Sequence, residues 1–125
     1  MNTKHHQFAV LLVCSTVLIV GCSMESQLGY KSDIQPLMDK YCSECHKQGG
    51  EGALASGFVT DSYDSTMQGT KYGPVVVPGD PLSSSLYRLV SGKVHSSIRM
   101  PHGKDALADE EIVKIEQWIQ QGAKD

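Results

Sequence analysis

The feature that most limits what this chain can become is Cys42-Ser43-Glu44-Cys45-His46, a C-x-x-C-H run. Two thiols three positions apart lie on neighbouring parts of one helical turn. From there they reach the two vinyl groups along one side of a porphyrin. The next residue, His46, is carried under the ring centre, where an imidazole nitrogen can bind iron. This is the attachment pattern of covalent c-type haem. Three other chemistries use similar residues and fit less well. A thioredoxin-like pair needs a preceding strand and a βαβ context, and the sequence shows neither. Zinc needs a fourth ligand, and no second Cys pair supplies it. A disulfide across two residues is strained and leaves His46 without a purpose.

A covalent cofactor also answers a shortage of core. The chain has 125 residues, room for one domain, with 40% hydrophobic but only 6% aromatic residues. Small domains of this kind often need a disulfide, metal or cofactor to complete them. Eleven Lys and Arg against 14 Asp and Glu give a net charge of −3, which argues against nucleic acid as a partner.

Residues 1–21 read as an address. Lys4, His5 and His6 precede an apolar run from Phe8 to Val20, thirteen residues long. That is too short to span a bilayer core of about 30 Å and suits the apolar region of an export signal. The run ends Ile19-Val20-Gly21-Cys22, which resembles a bacterial lipoprotein processing site. The resemblance implies that Cys22 becomes the first mature residue and carries lipid, with more than one acyl chain. Two or more chains anchor stably where one binds marginally. The expected location is therefore exported, facing the periplasm, on a bacterial membrane. Ser23 stands where an Asp resembles an inner-membrane retention signal, which points to the outer membrane in a cell with two. Residues 22–32 are polar and read as the lipidated tether, with the haem domain over residues 33–125.

Within that domain, Ile34, Leu37, Met38 and Tyr41 recur at helical spacing, with Ser32 or Asp33 as N-cap and Pro36 in the first turn. Asp80-Pro81 reads as a cap and first position for a helix striped by Leu82, Leu86, Leu89 and Val90, which Gly92 ends. Asp109, Glu110 and Glu111 open a last helix whose face is Ile112, Ile115, Trp118 and Ile119. Trp118 is expected to pack on the Ile34–Tyr41 face, so that first and last helices cross. Between the haem motif and Asp80 lie seven of the 12 Gly, and that stretch is expected to cover a haem edge as rigid, non-helical backbone.

An electron-transfer haem takes a second axial ligand, often Met. Met38 and Met67 read as core residues, Met67 on a short capped turn with Tyr63. Met100, held before Pro101 on a stiff loop, is the candidate. His102, His95 and an open site are the alternatives. Arg88, Lys93 and Arg99 could neutralise haem propionates, but read better as solvated surface.

Taken together the chain resembles the small monohaem cytochrome c family. The residues that carry this are Ile34 and Pro36, Cys42, Cys45 and His46, Pro78-Gly79-Asp80-Pro81, Ser84, Leu86, Met100-Pro101, Leu107, Glu110-Glu111, Ile115, Trp118-Ile119 and Gly122-Ala123. Ala108 departs from the pattern, where the family often has Ser or Thr as cap; Asp109 is the substitute expected. The resemblance implies an all-α fold of three to five helices and glycine-rich loops around one haem c, held by Cys42 and Cys45. It implies an electron carrier between a donor and an acceptor redox protein, or a haem module of a larger redox system; with both iron sites filled, the chain reads as a carrier and not an enzyme. A haem sensor or redox-enzyme subunit with an open or displaceable sixth site is the alternative.

Overall fold

The computed structural model describes residues 26–125. The expected export signal, Cys22 and the first part of the tether lie outside these residues. Among the described residues no helix is long and apolar enough to cross a membrane.

A π-helical turn, Tyr30–Ile34, runs into α1 (Gln35–Tyr41), followed by α2 (Ser43–His46), α3 (Glu51–Ser56), α4 (Tyr63–Gln68), α5 (Ser85–Val90) and α6 (Asp109–Gln120), with a 3-10 turn at Ser96–Ile98. The fold is all-α as expected, with an isolated bridge between Thr70 and Gly73 as the only strand-like pairing among the described residues. Among the described residues there are six α-helices, against the three to five expected. The extra one is α3, inside the stretch expected to be non-helical. It lies between Gly50 and Gly57, whose φ of 80° ends it, and only Ala53 is buried along it. A helix this short with one small buried residue leaves no apolar period to read.

The core forms where the chain's beginning and end meet. Ile34, Leu37 and Met38 bury the first helical face, and Ile115, Trp118 and Ile119 bury that of α6. Trp118 has no exposed surface, and its ring partner is Tyr30, with centroids 5.7 Å apart. Tyr30 also meets Tyr63 edge-on at 5.6 Å. Folding therefore starts earlier than Asp33: Tyr30, assigned to the tether by sequence, is 1% exposed. The tail is fastened by the same residues. The Lys124 carbonyl accepts from Trp118 Nε1 at 2.8 Å and from the Tyr30 N–H at 3.1 Å. Truncating a buried Trp of this kind costs about 3–5 kcal/mol.

Three expected caps are rearranged. Asp33 reaches back from inside its turn to accept the Gly29 N–H at 3.0 Å. Asp80 caps a turn, accepting the Ser83 N–H at 3.0 Å, and α5 begins only at Ser85, which leaves Leu82 exposed. Ser84 is buried because its hydroxyl closes that turn, donating to the Asp80 carbonyl at 2.8 Å and accepting the Val77 N–H at 2.8 Å. Asp109 does not cap α6. Ala108 occupies the cap position without a side-chain acceptor, and Glu111 takes its N–H at 2.9 Å instead.

Candidate haem-binding site

The helical path is interrupted at Cys42, between α1 and α2. Its N–H still bonds to the Met38 carbonyl at 2.8 Å, while its own carbonyl accepts from Cys45 and His46 at 3.1 and 2.8 Å. Cys42, Cys45 and His46 all line a cavity of about 410 Å³. Phe58, Val75, Leu86, Leu89 and Val90 make its apolar lining, and Met100, Pro101 and His102 also border it.

The imidazole is set up as a ligand. His46 Nδ1 lies 3.2 Å from the Phe58 carbonyl. A carbonyl can only accept, so the proton belongs on Nδ1 and the lone pair on Nε2. Such a bond fixes the tautomer and raises the basicity of a metal-binding histidine. The Phe58 ring meets the imidazole edge-on, centroids 5.3 Å apart. On another side the imidazole rests on Gly52, where an added Cβ would fall 2.8 Å from Cε1 and 2.9 Å from Nε2. A haem would be held here by two thiols and one imidazole nitrogen against apolar walls, and the residues present fit that group.

The two thiols differ. Cys45 is exposed and Cys42 half-buried, and burial pushes the Cys42 thiol up to about 11 against the pull of Lys104. Lys104, also at the cavity, forms an ion pair with Glu44 from inside the C-x-x-C-H motif.

Met100 lines the cavity and is half-buried. His102 lines it too and is exposed. His95 does not; its Nδ1 accepts the Ser97 N–H at 3.3 Å, capping the 3-10 turn. Met38 is core, and Met67 packs against the core from α4, where Ser62 and Ser65 form the expected cap. Arg88, Lys93 and Arg99 are absent from the cavity wall. Lys93 instead donates to the Tyr87 hydroxyl at 2.9 Å.

Sequence reasoning missed Phe58, Gly52 and Tyr41 as parts of the site. Phe58 carried one usable signal: it is the only Phe beyond the N-terminal apolar run. Gly52 carried none, because its contact with His46 is a matter of packing.

Residues 42–103 match the family described as Planctomycete cytochrome C. No curated protein and no solved structure matches the chain.

Proposed function

With a cytochrome c-like domain over residues 42–103 as the premise, we propose that this protein is a lipid-anchored carrier of single electrons. Haem c is joined through Cys42 and Cys45, and its iron is held by His46 and Met100. When bound, the haem supplies a one-electron ferric–ferrous couple. The observation that carries the reading is the Phe58 carbonyl on His46 Nδ1, 3.2 Å away, which leaves Nε2 for iron.

The chain's own part is positioning and exclusion. Val75, Leu86 and Val90, all buried, keep water from the cavity, which disfavours the more charged ferric state and raises the potential. The basic imidazole of His46 pulls the other way. Met100 adds a soft thioether that favours the reduced iron. No acid or base is needed, since nothing but an electron is exchanged with a donor and an acceptor protein. Cys22, lipidated after export, holds the domain at a membrane facing the periplasm, the outer one where the cell has two.

A second reading, a sensor or redox-enzyme subunit with a displaceable sixth site, draws on the exposed His102 beside Met100. Holoprotein made with haem-maturation machinery separates the two. The carrier shows covalent haem by mass, a ferric Met–iron charge-transfer band, and a ferrous form inert to carbon monoxide. Rapid carbon monoxide binding favours the sensor or enzyme. Properly exported protein without covalent haem rejects both.

A further inference from the structure

We propose that Thr60 is a positioning residue for His46, fixing the orientation and basicity of the imidazole, a role that rests on the haem reading of the cavity. Thr60 is a buried polar residue with no exposed surface, and it does not line the cavity. Its action runs through the segment 58–60, which grips His46 twice. The Phe58 carbonyl takes the ring proton at 3.2 Å, and the Thr60 N–H donates to the His46 carbonyl at 2.8 Å.

Every polar group of Thr60 is engaged. Its hydroxyl meets Ser43 Oγ at 3.0 Å, between the two cysteines, and reaches the His46 carbonyl at 3.4 Å. Its carbonyl accepts from Gln35 Nε2 at 3.1 Å and from the Tyr30 hydroxyl at 3.5 Å. Tyr30 is itself held by Thr66 Oγ1 at 2.7 Å. Segment 58–60 is thus tied to the turn before α1, to α1 and to α2.

A buried hydroxyl is costly unless paired, and at this position a valine would pack without that requirement. A fully satisfied network, by contrast, stiffens what it joins. Stiffness matters because the Nδ1–H···O bond controls electron density on Nε2. A firmly placed Phe58 carbonyl makes the imidazole a stronger donor, which favours ferric iron and lowers the potential.

The test uses haem-loaded protein with Thr60→Val and Thr60→Ser. Two readouts are taken: the midpoint potential, and the exchange rate of the His46 Nδ1 proton by NMR in the ferrous state. Thr60→Val is expected to shift the potential upward and speed exchange roughly fivefold, the loss of about one hydrogen bond's restraint. Thr60→Ser, which keeps the hydroxyl, holds both near wild type. A Thr60→Val protein that melts earlier but keeps both values overturns the proposal and leaves Thr60 a stability residue. Failure of Thr60→Ser to rescue does the same. Should Thr60→Val not fold, Ser43→Ala removes the hydroxyl's side-chain partner, together with Ser43's own bonds to the Met38 carbonyl and Asp39; a smaller upward shift supports the proposal and no shift overturns it. A wild type lacking covalent haem brings down the haem reading as well, whereas unaltered variants of a loaded wild type bring down this proposal only.

Discussion

Met100 donates its backbone N–H to the carbonyl of Leu89 at 3.1 Å, fastening the loop of the proposed sixth ligand to the last turn of α5. Helix ends leave their final carbonyls without intrahelical partners. Here Lys93 takes the Arg88 carbonyl at 2.9 Å across Gly92, whose φ is 71°, and Met100 takes the next. The loop leaves α5 and returns to it, so the thioether is presented from an anchored base. Thioether is a weak ligand, and anchoring lets it compete with water.

Met100→Ala is expected to retain covalent haem, lose the Met–iron charge-transfer band, bind carbon monoxide in the ferrous state and drop in potential. His95→Ala should match wild type, because His95 is occupied at the 3-10 turn. Visible spectra of the two holoproteins decide this, and an unchanged Met100→Ala spectrum would remove Met100 from the iron.

Gly52→Ala places a methyl 2.8–3.0 Å from three atoms of the His46 ring. On helix propensity alone, alanine is favoured by about 1 kcal/mol. The expected outcome is nevertheless a lower yield of haem-loaded protein, with a perturbed low-spin spectrum, since the ring must move. A variant with a wild-type spectrum and a higher melting temperature would contradict the packing argument.

Glu111 joins α6 to α1. Its carboxylate accepts from the Tyr41 hydroxyl at 2.6 Å, from Lys40 at 2.9 Å and from the Ala108 N–H at 2.9 Å. The Tyr41 bond first, and then Lys40, bring its pKa down from 4.5 to about 2. A folded pKa below the unfolded one means stability that is present above pH 4.5 and lost as pH falls through about 2. Glu111→Gln should therefore cost about 1–3 kcal/mol at pH 7. The gap to wild type should close on acidification from pH 4.5 toward 2 in urea titrations. A gap that stays constant over that range speaks against the linkage.

In apoprotein, the thiols should react in order. Cys45 is exposed, whereas Cys42 is held near 11 by burial and so carries little thiolate at pH 8. Timed alkylation followed by peptide mass mapping should find Cys45 modified first. Equal rates would mean that the Cys42 side of the cavity opens in the absence of haem.

The parts of this protein legible in its sequence are those whose partners lie within a turn or two of helix. The C-x-x-C-H spacing, the Ile34–Leu37–Met38 face and the Ile115–Trp118–Ile119 face are local patterns, and local geometry carries them directly into structure. Tertiary contact decided what those patterns met. Tyr30 looks like tether by composition, yet it is buried because Trp118 and the tail close over it. Asp80 and Asp109 had the right chemistry for helix caps, but the helices began one or several residues away from where propensity put them. The Phe58 carbonyl on His46, twelve residues on, has no sequence signal at all, because any residue supplies a carbonyl and only the path of the chain chooses which one arrives. Local residue chemistry thus marked out the candidate haem ligands, while long-range packing determined how the imidazole is held.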